Sequence, residues 1–246
     1  MTNRLTKETA IILGVGAERG LGTALARRFA ADGYHVILAG RTADKLAARV
    51  QEIEAQGGAA TAVVTDVTNT DSVDGLFTKA AATGPIAAVL YNAGNNARIP
   101  FQDISAEQFE RFWRVCCFGG FLTAQAAIAH MLPRQRGSLF FTGASGSLRG
   151  RANFAHFASA KAGLRNLAQS LAREFGPQGL HIAHFIIDGV IDGQMIRERF
   201  PEFIDRMGAD GALNPDAIAQ TVFHIHQQHP SAWSHEVDLR PFKENW

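Results

Sequence analysis

The chain has 246 residues, a formal net charge of +1 at pH 7, 46% hydrophobic residues and 19% charged ones. That length suffices for one large domain with a substantial buried core, and the composition is ordinary for a globular protein. Near-neutral charge argues against nucleic acid or an anionic membrane surface as a partner. No apolar run in the sequence approaches the roughly 18 residues that span a bilayer, and residues 1–7 lack the apolar core of a signal peptide. A cytoplasmic protein is therefore expected.

The first apolar, β-branched run covers residues 10–15. The string Gly14-Val15-Gly16-Ala17-Glu18-Arg19-Gly20-Leu21-Gly22 follows it, and a helical pattern begins near Leu21. Glycines at that junction allow a tight turn and let a pyrophosphate approach the backbone at the positive end of the helix. Further strands are expected over residues 35–39, 61–65, 87–91, 138–142, 182–187 and 236–239. Helices are expected from near Ala43, Asp71, Ser105, Phe154 and Asn214. Apolar strands alternating with amphipathic helices imply a mostly parallel seven-stranded sheet covered on both faces, a single Rossmann-like, doubly wound α/β domain over residues 1–246.

The segment 192–211 breaks the alternation. It contains Pro201, Gly208 and Gly211 and follows the sixth strand, at the sheet end where α/β folds bind ligands. A lid over a small-molecule substrate is expected there. The two cysteines, Cys116 and Cys117, are adjacent, so disulfide geometry is out of reach and a reduced pair packed on a helix is expected. His224, His226 and His229 sit near a helix end without a completing Asp or Cys, so no metal site is expected and a solvated helix end is the simpler account. His184, inside the sixth strand, reads as a core histidine with its hydrogen bonds satisfied.

Several motifs in order resemble the short-chain dehydrogenase/reductase family. The spacing Gly16-x-x-x-Gly20-x-Gly22 is similar to its glycine motif, with Val15 where a threonine is usual. Asp66-Val67 ends the third strand, where the family places an aspartate near the adenine. Asn92-Ala93-Gly94 resembles the element that supports the cofactor loop, and Lys161, Gly189 with Ile191, and Asn214-Pro215-Asp216 continue in register. The resemblance covers nearly the whole chain. It implies an oxidoreductase that binds a nicotinamide cofactor through Gly16, Arg19, Gly20, Leu21, Gly22, Arg41, Asp66, Val67, Asn92, Ala93, Gly94, Lys161, Gly189 and Ile191. It also implies a homodimer or homotetramer through the helices near Ser105 and Phe154, with the aromatic-rich tail 233–246 packed on a neighbouring subunit or within the chain. NAD sites usually carry a carboxylate after the second strand. Here Gly40-Arg41 stands there, and Arg19 and Arg41 suit a ribose 2′-phosphate, so NADP(H) is the expected cofactor.

The family's catalytic tetrad is Asn-Ser-Tyr-Lys. Carried over by motif, the tyrosine falls on Phe157, the serine on Ala144 and the asparagine on Cys116, and only Lys161 remains. A benzene ring has no donor, acceptor or pKa. Loss of a general acid typically costs about 10²–10⁴ in rate, and loss of an oxyanion donor roughly 10²–10³. Ser145 adjoins the emptied serine position and is the candidate replacement hydroxyl, with a turn-capping role as the alternative. His156 neighbours Phe157 but diverges from it by about 100° on a helix. Asp188 stands where the family has proline and is expected to cap a loop, and Gly193 replaces a threonine that contacts the carboxamide. The sequence leaves three functions open. The first is an NADP(H) oxidoreductase acting on an already polarised carbonyl, enone, imine or quinone-like substrate. The second is a catalytically inactive NADPH-binding sensor or subunit, and the third a non-redox, lyase-type activity.

Overall fold

Seven short strands pair side by side, all parallel, in the order β3-β2-β1-β4-β5-β6-β7. The computed structural model describes residues 7–244. The expectations for the extreme N-terminus and for the end of the aromatic-rich tail therefore lie partly outside the described residues, at 1–6 and 245–246. In chain order the elements are β1 (Thr9–Leu13), α1 (Leu21–Ala31), β2 (His35–Gly40), α2 (Ala43–Ala55), β3 (Ala59–Val64), α3 (Thr70–Ala81), β4 (Ile86–Tyr91), α4 (Ala106–Trp113) and α5 (Gly119–Met131). There follow β5 (Gly137–Thr142), α6 (Ala155–Phe175), β6 (Leu180–Ile187), α7 (Gln194–Arg199), α8 (Pro201–Met207), α9 (Pro215–His226) and β7 (Glu236–Leu239). The doubly wound fold expected from the alternating pattern is the fold observed, with strand ends displaced by a residue or two.

The two-residue period of each strand sends its side chains alternately to two cores. Ala10, Ile12, Leu38, Leu90, Phe140 and Phe185 meet α1, α2 and α9 on one face. Ile11, Leu13, Ile37, Val89, Tyr91 and Phe141 meet α3, α5 and α6 on the other. A third, small cluster of Cys116, Cys117 and Ala160 packs with Phe157 apart from both cores. Local chemistry sets the helix starts. Asn69 accepts the Ser72 amide at 2.8 Å ahead of α3, and Ser105 and Gln108 form a reciprocal capping box at α4.

Two expectations need amendment. The helix beginning near Ser105 is interrupted by one π-helical turn, Arg114–Phe118, between α4 and α5, and both cysteines lie in it. The helical run Ala106–Arg134 is long and apolar enough, by length and composition, to cross a membrane, contrary to the expectation that no stretch comes close. Half of its most apolar window is buried inside the fold, where Leu122, Ala127 and Met131 of α5 join the second core.

Candidate functional site

All seven strands point their C-terminal ends the same way, so the loops after β1, β2, β4, β5 and β6 gather at one edge of the sheet. The glycine loop after β1 is built by close backbone approach. Gly14 has φ +91°, and a Cβ there would lie 2.7 Å from the Ala93 nitrogen; a Cβ on Gly22 would lie 2.4 Å from the Gly14 carbonyl oxygen. Asn92 of the Asn92-Ala93-Gly94 element clamps the same turn, its amide donating to Leu13 at 3.0 Å and its side chain to the Gly14 carbonyl at 3.4 Å. Gly20 precedes α1 with no side-chain cap, so the amides at the start of that helix are available to an anion. Gly16 faces open space. An uncapped helix start beside an open glycine loop fits the pyrophosphate of a dinucleotide. A cleft of about 230 Å³ opens at this helix end, lined in part by Glu18, Arg19, Gly20 and Asp216; it adjoins the glycine loop rather than Lys161.

The residues named for the adenosine end lie on neighbouring loops. Arg41 is exposed just after β2, and its charge contributes to holding the Asp66 carboxyl below its usual range, after the larger effect of the Thr68 amide and hydroxyl. Asp66 accepts from both Thr68 groups, at 2.9 and 2.8 Å, in a tight turn, while Val67 is buried behind it. Arg19 behaves differently from its expected role at a phosphate. Its guanidinium donates to the Asp192 carbonyl at 2.8 Å and to the Asp192 carboxylate. Arg197 donates to the same carboxylate at 2.7 Å. Gln194 completes the connection, its amide donating to the Arg19 carbonyl at 2.7 Å and its side-chain oxygen accepting from the Glu18 amide at 3.2 Å. The hydrogen bonds from Arg197 and Arg19 hold the Asp192 carboxyl below its ordinary pKa. The segment expected to be a lid thus begins on the glycine loop and continues as the two short helices α7 and α8. Gly193 permits this approach, since a Cβ there would sit 3.2 Å from the Arg19 carbonyl oxygen.

Lys161 lies on α6 and is 5% exposed, with Nζ donating to the Thr142 carbonyl at 2.7 Å. Burial lowers its pKa, against the opposing influence of Cys116 and Cys117. Its Nζ is 5.9 Å from the centre of the Phe157 ring, and a Cβ on Gly94 would lie 3.5 Å from Nζ and 3.9 Å from the Cys116 sulfur. The π turn delivers Cys116 to this point, where its thiol is 3.3 Å from the Asn95 side-chain oxygen. Burial raises the Cys117 thiol pKa. Gly146 backs onto the Phe157 ring, and a Cβ there would lie 3.2 Å from the ring edge. Phe157, Lys161, Cys116 and the turn carrying Ala144 and Ser145 are therefore brought together. His156 points elsewhere, as the helical spacing requires, fully buried with its ring 4.2 Å from that of Phe112.

The turn after β5 has a buried support that the sequence did not disclose. Ser147 Oγ accepts the Ala144 amide at 3.1 Å and lies 3.2 Å from His184 Nε2. His184 Nδ1 lies 3.3 Å from Glu236 Oε2, off the line of a good hydrogen bond, and Arg165 holds Glu236 at 2.6 and 2.8 Å. Burial pushes His184 down to about 4, so it is neutral at pH 7. The Ser145 carbonyl accepts the Leu148 and Arg149 amides, at 3.0 and 3.1 Å, which makes Ser145 a turn-forming residue. Asp188 does not cap a loop through its side chain. It is 2% exposed, and both carboxylate oxygens accept from Arg149 at 3.0 Å, with Arg240 at 3.7 Å. Gly189 follows with φ +152°, packed on Pro241, and Ile191 forms a bridge to Leu213. At the end of α9, His224 is exposed, as expected of a solvated helix end, and His229 beyond it is exposed too, but His226 differs. His226 binds Ser138 at 2.8 Å and Tyr34 at 2.9 Å, and burial lowers its pKa to about 4. Among the described residues, no three His, Cys, Asp or Glu side chains are grouped to hold a metal ion.

A family model described as short chain dehydrogenase matches residues 10–202. Gluconate 5-dehydrogenase of Gluconobacter oxydans is 33% identical over 171 residues, 69% of this chain and 67% of that protein. The 3-oxoacyl-[acyl-carrier-protein] reductase MabA of Mycobacterium bovis is 33% identical over 187 residues, 76% of this chain and 71% of that protein. Among solved structures, a short-chain dehydrogenase from Rhodopseudomonas palustris is 36% identical, with a TM-score of 0.82 over 96% of this chain and 99% of that one.

Proposed function

The chain belongs to the short-chain dehydrogenase family, and from that premise we propose an NADP(H)-dependent oxidoreductase that works without the family's tyrosine acid. The nicotinamide cofactor supplies hydride when bound. The glycine loop and the open start of α1 would hold the pyrophosphate. Arg41, with no acidic residue beside it at the end of β2, would meet the 2′-phosphate. Lys161 would hold ribose hydroxyls from its buried position near Phe157.

The observation that carries this proposal is the setting of Lys161. A buried amine is retained beside Phe157 and Cys116, where the side chains at the family's tyrosine and asparagine positions offer neither a phenol nor a carboxamide. Burying an amine is costly, and perturbed buried amines concentrate at functional sites. With the acid absent, the substrates favoured are those already polarised, namely conjugated enones, imines, quinone-like compounds or activated carbonyls. Ser145 remains the candidate hydroxyl for a replacement role. Association into a homodimer or homotetramer belongs to the same proposal, supported by Phe109, Trp113 and Phe121, which are partly exposed along α4 and α5.

Titration with NADPH and NADH, followed by a hydride-transfer screen, tests the proposal. Tight NADPH binding, weakened about tenfold or more by Arg41→Ala, is the expected result. The double variant Phe157→Tyr, Ala144→Ser should raise reduction of simple carbonyls by about 10² or more, since it restores an acid and an oxyanion donor. NADPH binding without turnover on any activated substrate would instead favour a nucleotide-responsive subunit. The contacts of Arg19 and Glu18 with Asp192 and Gln194 support that second reading, because they connect the nucleotide loop directly to the segment 192–211.

A further inference from the structure

We propose that the substrate carries a carboxylate, and that Arg149 binds it. The ion pair of Arg149 with Asp188 bridges two loops at the C-terminal edge of the sheet. Arg149 comes from the turn after β5, which abuts Phe157 through Gly146. Asp188 comes from the end of β6, immediately before Gly189. The pair therefore ties the turn that adjoins the Phe157 ring to the loop after β6.

The pair is unequal. Asp188 is 2% exposed, whereas the Arg149 side chain is 51% exposed. Both carboxylate oxygens bind the same nitrogen, Nη2, at 3.0 Å. Among the described residues, Nε and Nη1 of Arg149 have no partner. A buried carboxylate is costly unless paired, and here its effect is to fix the position of a guanidinium that still presents free donors to solvent. Fixing it beforehand removes much of the side-chain entropy that an ordinary surface arginine loses when it binds an anion. Arg240, paired to Asp238, approaches Asp188 more distantly, at 3.7 Å, so Arg149 is the residue that holds the Asp188 carboxylate by hydrogen bonds.

The surrounding loops have the same sign. Residues 92–102 and 143–157 contain Arg98, Arg149 and Arg151 and no Asp or Glu. The two loops are joined where the Ile99 amide donates to the Asn153 carbonyl at 2.9 Å, and Arg98 and Arg151 lie close in sequence to that junction. A planar guanidinium with two free N–H directions, flanked by loops that carry Arg98 and Arg151, suits a carboxylate. This inference depends on the proposed oxidoreductase function only in taking the anion to be part of the substrate.

The test uses malonate, its neutral analogue malonamide, and inorganic phosphate, each titrated calorimetrically into the whole protein with and without saturating NADPH. Malonate should bind at least tenfold more tightly than malonamide. Arg151→Gln, which does not touch Asp188, should weaken malonate binding several-fold. Arg149→Gln with Asp188→Asn, which removes both charges together, should abolish it while leaving NADPH affinity within about twofold. Equal binding of malonate and malonamide, no binding of either, or tighter binding of phosphate than malonate would overturn the proposal. Retention of malonate binding in the double variant would overturn the role of Arg149. Failure of the unaltered protein to bind NADPH would count against the proposed function alone, because the malonate titration is read separately.

Discussion

Gly14 is the residue on which the nucleotide loop turns, and its requirement is conformational before it is chemical. Its φ of +91° suits a residue without Cβ, and an added methyl would meet the Ala93 backbone. Gly14→Ala should cost roughly 2–4 kcal/mol, from backbone strain plus overpacking. The cost should appear as a lower urea midpoint together with weakened NADPH binding, whereas Gly16→Ala, in open space, should leave the midpoint nearly unchanged. The glycine spacing was legible in the sequence because a strand, a turn and a helix start are local. The partner of Arg19 was not, because Asp192 lies 173 positions away. Asp188 escapes sequence reasoning for the same reason. A carboxylate after a strand suggests a cap, and nothing local discloses Arg149 approaching from 39 positions upstream.

At the scale of elements, two histidines make the sheet sensitive to acid. His184 on β6 and His226 on α9 each have a pKa of about 4 in the folded protein, caused chiefly by burial, against an ordinary value of 6.5. The unfolded chain therefore binds these protons first as pH falls. The stability associated with neutral histidine is fully present above pH 6.5 and is lost progressively down to about pH 4, by roughly 3 kcal/mol for each residue. Urea unfolding should thus show a falling free energy between pH 7 and 4.5, and His226→Gln should flatten that slope. A free energy that holds steady or rises over this range would show that the rings are not held neutral. The alternation of strands and helices was legible from apolar periodicity, but the burial of His226 was not. It depends on Ser138 and Tyr34, which reach it from β5 and from the turn before β2. The π turn was hidden as well, since Arg114–Phe118 has no Pro or Gly to mark a break, and its extra residue becomes visible only when the helix packs.

At the scale of the molecule, the contacts of Asp192 connect the nucleotide loop to the proposed lid. Asp192→Asn weakens its ion pairs with both Arg19 and Arg197, so cleavage within residues 192–211 by a dilute protease should become several-fold faster while the global unfolding midpoint moves little. Equal cleavage rates in the two proteins would show that those ion pairs do not hold the segment.

The separation of hydrophobic clusters has a consequence for how such a protein can change over generations. The two large cores on the faces of the sheet carry most of the burial, and Phe157, Cys116 and Cys117 belong instead to a small third cluster. On the proposed function, substitutions there change proton handling at positions outside the two cores that carry most of the packing. On that proposal, a lineage with this architecture would exchange one reaction for another at the third cluster while the two cores stay as they are.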